Sequence, residues 1–274
     1  MRRLAKILAP AALLLTSLIA PAAHAGGDMK ILVLKEHGVG SASAAQAYVD
    51  KLVSAVAKKN GWATATGKYT TKRSSALSWI SANKPGFGIL TLPAYLAMRT
   101  SHDLTVVGQA VVKSAGGRQY FLISKTQGDL AGCKGKTVAS DHFDDLVFVD
   151  KVIGGSDFSS ADFQVVKTRR PVQTLKTVIR GEAECALVDD AQMDSLAKLE
   201  GGAAVKKVWS SKKLPPMVVV AFGTTPKAER TTFKNNLLQV CMGAGKAACD
   251  EAGISALRPS GDTAYAALTR SYGK

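Results

Sequence analysis

Apolar and polar positions alternate along this chain in two rhythms. Short runs such as "MKILVL" (29–34) and "FGILTL" (87–92, stopped by Pro93) are apolar at nearly every position, as strands covered on both faces are. Longer runs repeat every three to four residues. "SASAAQAYVDKLVSAVAKKN" (41–60) places Ala45, Tyr48, Val49, Leu52, Val53 and Val56 on one helical face, and "KRSSALSWISAN" (72–83) predicts a second helix. "GWATATGKY", "DLTVVGQAVV" and "RQYFLISK" are extended. A second series then follows: strand "GKTVAS", a helix from about Phe143, strand "FQVVKT", helix "PVQTLKTVIRG", strand "ECALVDD" and helix "AQMDSLAKLEG". Strands alternating with helices predict parallel β-α-β units in a sheet between helix layers.

The first 25 residues stand apart. Arg2, Arg3 and Lys6 precede an apolar stretch from about Ile7 to Ile19 and an Ala23-His24-Ala25 site, which predicts a secretory signal cleaved after Ala25 and export to the periplasm. Removing it takes the formal charge from +15 to +12, since three cationic residues leave with it. The remaining Lys and Arg are scattered, with no interleaved aromatics, so a solvated basic surface is expected and nucleic acid is not.

Cys133, Cys185, Cys241 and Cys249 form an even set in an exported chain, which predicts two disulfides out of three possible pairings. The short "CMGAGKAAC" segment favours Cys241 with Cys249 and leaves Cys133 for Cys185. No CxxC accompanies them, and no cofactor or metal is expected. His37, His142 and Asp141 are the one set that could hold an ion across a cleft. With no G-x-S-x-G, no P-loop and no free thiol, the chain does not read as an enzyme.

The chemistry of most interest lies in "VASDHFDDLVFVDKVI" (138–153). A helix start offers unpaired N–H groups that attract anions, yet here Asp141, Asp144 and Asp145 are already present. Ser140 or Asp141 is expected to cap the helix, with Asp144 and Asp145 in its first turn.

Several segments together resemble the type II periplasmic solute-binding proteins, in their phosphate and phosphonate-binding branch. "RQYFLISKTQGDLAGCKGKTVAS" is similar to the hinge entry into the second lobe, "PGFGILTLPAYLAMR" to the strand and Tyr-bearing loop, "RPVQTLKTVIRGEAECALVDDAQM" to the block ending in an acidic pair, and "LRPSGDTAYAALTRSY" to the C-terminal tail. The resemblance implies a two-lobed α/β fold, each lobe a mainly parallel sheet flanked by helices, with residues 26–123 and 218–274 in lobe one and 124–217 in lobe two. It implies a monomer that takes a ligand between the lobes and hands it to a membrane transporter. Tyr95 matches the family's ligand-contacting Tyr, and Asp189 and Asp190 match its acidic pair. In that branch the lobe-two helix start carries a Ser/Thr-Ser-Gly run, which this chain replaces with Ser140, Asp141, His142, Phe143, Asp144 and Asp145.

An unscreened carboxylate about 5 Å from an anionic ligand costs roughly 3 kcal/mol, so phosphate and phosphonate are expected to be excluded. The expected ligand is instead neutral or cationic and largely apolar, such as a sterol-like lipid held by Phe143, Val147 and Phe148, with His37, Ser41, Ser140, Asp141, His142, Asp190 and Tyr95 at its polar end. The alternatives are a small polar or cationic solute of an ABC importer, or a ligand-sensing role beside a membrane receptor.

Overall fold

The computed structural model describes residues 28–38, 42–113 and 116–273. The expected signal segment and Ser41 lie outside these residues. Among the described residues the strands form two mixed sheets.

The first sheet contains β1 (Met29–Leu34), β2 (Ala65–Thr70), β3 (Phe87–Leu90) and β4 (Thr105–Val112), joined late in the chain by β10 (Met217–Ala221) and β11 (Ile254–Pro259). Their order is β11-β4-β10-β3-β1-β2. The second holds β5 (Tyr120–Ser124), β6 (Thr137–Ser140), β7 (Gln164–Lys167), β8 (Cys185–Asp189) and β9 (Lys206–Ser210), in the order β7-β6-β8-β5-β9. The sheets are therefore joined by two crossings, one between β4 and β5 and one between β9 and β10. β5 runs in the second sheet, so the first crossing precedes the expected boundary at 123/124. Parallel pairing holds for β1 with β2 and β3 and for β6 with β7 and β8, whereas β10, β11 and β5 pair antiparallel. The antiparallel strands enter each sheet at the crossings or from helices late in the chain, beside the parallel β-α-β pairs that the mainly parallel reading expects.

The period of two along each strand assigns its side chains to different cores. Ile31 and Val33 of β1 and Val219 of β10 pack beneath α1 (Ala42–Asn60), with Val49, Leu52, Val53 and Val56. Tyr48, expected on that helical face, is exposed. A Cβ on Gly67 would stand 2.8 Å from Val53, so this small residue lets α1 lie close on β2. On the opposite side Leu32, Leu34, Leu90, Val218 and Val220 join Tyr120, Leu122, Val138 and Leu187 of the second sheet in one continuous buried cluster. That cluster joins the two lobes. Phe121, Ile123, Ala139, Ala186 and Val188 face a third core, under α6 (Pro171–Ile179) and α7 (Asp190–Leu196).

α2 (Arg73–Asn83) and α3 (Leu92–Met98) follow β2 and β3; α4 (Leu130–Cys133) precedes β6; α8 (Lys227–Val240), α9 (Lys246–Glu251) and α10 (Ala266–Tyr272) complete the first lobe. Both disulfides form as expected, Cys133 with Cys185 and Cys241 with Cys249.

The helix expected from Phe143 is instead three short pieces: a 3-10 turn over His142–Asp144, a single α-turn, α5 (Leu146–Phe148), and a π-helical stretch over Val149–Gly154. Asp145, and neither Ser140 nor Asp141, caps α5 by accepting from Phe148 N at 3.0 Å. β7, expected as a strand, is an exposed edge strand of the second sheet.

Candidate functional site

A cavity of about 280 Å³ opens between the lobes. Lobe one contributes the loop after β1 (Lys35, Glu36, His37), the start of α3 (Thr91, Leu92, Pro93) and Met217. Lobe two contributes Tyr120, His142, Asp189 and, from α7, Asp194, Ser195 and Lys198. These loops follow the carboxyl ends of β1, β3, β6 and β8, where open α/β sheets hold ligands.

The buried end of the cavity is polar. Thr91 precedes α3 but makes no capping bond, and its Oγ1 is buried without a hydrogen-bond partner. An unmade bond of this kind costs about 1 to 3 kcal/mol, and here the hydroxyl belongs to a wall residue of the cavity. Tyr120 and His142 are both buried and pack edge to face, 5.1 Å apart.

Hydrogen bonds determine the His142 tautomer. Gln192 Nε2 donates to Asp141 Oδ1 and to Pro171 O, at 3.1 and 3.2 Å, which orients the amide. Its Oε1 accepts from Asp189 N at 2.9 Å and stands 3.0 Å from His142 Nε2. Nε2 must therefore carry the proton, which leaves Nδ1 as an acceptor. Burial, aided by the nearby His37, lowers the His142 pKa to about 4 and keeps the ring neutral.

Asp189 closes the same network. Its side chain accepts from Gln192 N at 2.8 Å in a reciprocal cap of α7. Burial drives its pKa up to about 7 despite that bond, and the charges of Asp190 and Asp141 add to the rise.

Asp141 lies beside this group. Its Oδ2 stands 3.1 Å from His37 Nδ1 across the cleft, and its Oδ1 accepts from Thr174 Oγ1 at 3.0 Å. Burial opposes ionisation, but the charges of the two imidazoles and the His37 bond hold the carboxyl well below the usual range. For His37 burial likewise works downward, and the bond and charge of Asp141 outweigh it, so its pKa is raised.

Asp145 is also partnered. It receives Arg73 Nη2 at 2.9 Å and the Tyr272 hydroxyl at 3.1 Å, while Arg73 grips Glu36 with two further bonds of 2.7 and 3.0 Å. The Tyr272 pKa rises to about 12, through burial first and the Asp145 charge second.

The expected site residues thus divide. His37 and His142 line the cavity, and Asp141 binds both the His37 side and the Gln192 network. Ser140 is one layer beneath, donating to Leu187 O and accepting from His142 N. Asp190 accepts from Arg118 N and does not line the cavity. Tyr95 is buried edge to face on Tyr265, and Phe143 and Phe148 are buried in the shared core, so none of these three lines the cavity either. Val147 is 46% exposed and likewise off the cavity wall. Across this broken stretch Phe148, Val149 and Ile153 are buried while Leu146 and Val147 are exposed. Thr91, Tyr120, Gln192 and Arg73 were not singled out from sequence. Only Thr91 carried a signal, as a polar residue between a buried strand and Pro93. Among the described residues no cluster of three or more His, Cys, Asp or Glu is placed to hold a metal.

Two mixed sheets joined by two crossings, with a polar cavity between them, define a two-lobed binding protein. A family model described as "ABC transporter, phosphonate, periplasmic substrate-binding protein" matches residues 41–265, and the chain belongs to that family. The family is a periplasmic transport component. Among solved structures, the chain is similar to a binding protein component of an ABC phosphonate transporter from Pseudomonas aeruginosa, with a TM-score of 0.64, 13% identity, and 88% of this chain and 84% of that one covered. It is also similar to a protein from Xanthomonas citri bound to ATP (TM-score 0.69, 11% identity, 90% and 96% covered). A third is a protein from Prochlorococcus marinus in complex with methylphosphonate (TM-score 0.65, 9% identity, 88% and 96% covered). At these identities the likeness is one of fold. No curated protein matches the chain significantly.

Proposed function

We propose that this chain, exported by cleavage after Ala25 and acting as a monomer, captures a small polar solute in the interlobe cavity and presents it to an ABC transporter. The solute is neutral or carries a cationic head. The observation that carries this reading is the make-up of the buried end of the cavity: the Thr91 hydroxyl without a partner, the acceptor Nδ1 of His142, and the Asp189 carboxyl with one oxygen committed to Gln192 N. These groups suit a ligand that presents N–H or O–H donors.

A sterol-like body loses its basis. The aromatic residues assigned to hold it, Phe143 and Phe148, are core residues, and a cavity of about 280 Å³ walled by charged and hydroxyl groups offers no apolar sleeve.

Native mass spectrometry of the protein purified from its own envelope, followed by calorimetry with the retained solute, tests the reading. A small polar species displaced in Thr91→Val supports it. An empty protein whose melting temperature responds to no solute of a broad panel refutes it, and a retained lipid restores the apolar alternative.

A further inference from the structure

Lobe one brings His37 and Arg73 to the seam, and each is already matched by a carboxylate of the chain itself. His37 meets Asp141, which is 3% exposed and whose second oxygen serves Thr174 and Gln192. Arg73 meets Asp145 at 2.9 Å, and its Nε and Nη2 also donate to Glu36. Both carboxylates belong to lobe two and both cations to lobe one, so each pair crosses the seam. Lys35 and Lys198 also line the cavity, but Lys198 is exposed and Lys35 only half-buried, where an ammonium is well solvated and a weak anchor.

Taking the cleft as the ligand site, we propose that Asp141 and Asp145 are specificity-determining residues that act as built-in counter-anions, occupying His37 and Arg73 and so excluding phosphate, phosphonate and sulfonate head groups. The negative charge that would link the lobes through a bound anion is supplied by the protein. An incoming anion finds the wall residue His37 already matched by Asp141 and the wall residue Glu36 already bound to Arg73, with Asp141, Asp145 and Arg73 themselves just off the cavity wall. A neutral or cationic solute meets neither obstacle.

Calorimetry with methylphosphonate and inorganic phosphate on the wild type, Asp141→Asn, Asp145→Asn and the double variant tests this. The wild type is expected to give no binding. Each Asn substitution should improve anion affinity by about tenfold, the worth of one charge-assisted contact. The gain should weaken with added salt and disappear when His37→Gln is placed on Asp141→Asn. Asp145→Glu, which keeps the carboxylate, should remain blind to anions. Micromolar binding of methylphosphonate by the wild type, or equal anion affinity in all variants, overturns the proposal. Should the Asn variants fail to fold, His37→Gln and Arg73→Gln are measured with ethanolamine. The unmatched carboxylates should bind this cation about tenfold more tightly, and unchanged affinity overturns the proposal equally. An empty protein in the envelope experiment counts against the cleft as a capture site and leaves these defined-probe measurements to stand separately.

Discussion

His37 Nδ1 lies 3.1 Å from Asp141 Oδ2, a bond that joins the loop after the first strand of one sheet to the end of the second strand of the other. The His37 ring also tilts against His142, with centroids 4.4 Å apart. Of two neighbouring imidazoles, one is pushed toward its charged form and the other toward its neutral form. The carboxylate serves the first ring, and Gln192 serves the second.

Asp189 gives a pH signature. Its folded pKa of about 7 lies above the unfolded value near 3.8, so its contribution is fully present below pH 3.8 and is lost as pH rises through 7. Relative to Asp189→Asn, which keeps the cap of α7, the wild type should lose stability between pH 4 and 8, by up to roughly 4 kcal/mol. Denaturant melts of both proteins across that range measure it. A constant difference would show that Asp189 titrates normally.

Thr91→Val is expected to leave stability unchanged or raise it by about 1 kcal/mol, because a buried hydroxyl without a partner is exchanged for a methyl of similar shape. If the hydroxyl serves the ligand, solute affinity should fall by about tenfold in the same variant. Thermal melts beside calorimetry separate the two effects.

Arg73→Ala should destabilise by about 2 kcal/mol, since Glu36 and Asp145 are left facing one another in a partly solvated seam. Tyr272→Phe removes only one of the donors to Asp145 and should cost about 1 kcal/mol. Chemical denaturation of the single and double variants is the test, with non-additivity expected because both donors share one carboxylate.

Phe148→Asp should unfold the protein or lower its stability by several kcal/mol, since the ring is 1% exposed against Tyr120. Val147→Asp, one residue earlier, should change stability by less than about 0.5 kcal/mol and leave solute binding intact. A folded Phe148→Asp would place that side chain outside the core.

The two disulfides should differ in worth. Cys133–Cys185 spans 52 residues and Cys241–Cys249 spans 8, so replacing each pair by Ala should cost about 4 and about 2.5 kcal/mol by loop entropy. Denaturant titrations of the two double variants give the comparison.

Nearly continuous apolar runs such as "MKILVL" and "FGILTL" were legible because strands covered on both faces need no alternation, and β1 and β3 are the parallel centre of the first sheet. The cysteine pairing was legible because a short segment confines its own ends. The acidic stretch at 141–145 was legible as an anomaly but not in its consequence. Its carboxylates were taken as unscreened, whereas Arg73 and Tyr272 reach Asp145 from 72 and 127 positions away. Apolar residues at 146–153 left two readings open, burial between the lobes or a greasy cleft, and Phe148, Val149 and Ile153 lie in the core that the lobes share. A π-helical stretch rotates the sequence to another phase, so the buried face could not be read from a spacing of 3.6.

The bond from Tyr272 to Asp145 gives the end of the chain a mechanical part to play. Two peptide crossings, a shared core and two cross-seam ion pairs join the lobes, and α10, packed against α3 of one lobe and the π-helical stretch of the other, adds a further non-covalent tether. Unlike the crossings, this tether can be released without breaking the chain, by fraying a single terminal turn. A bulky fusion following Tyr272 would therefore alter how freely the lobes rock before it altered either lobe's own stability.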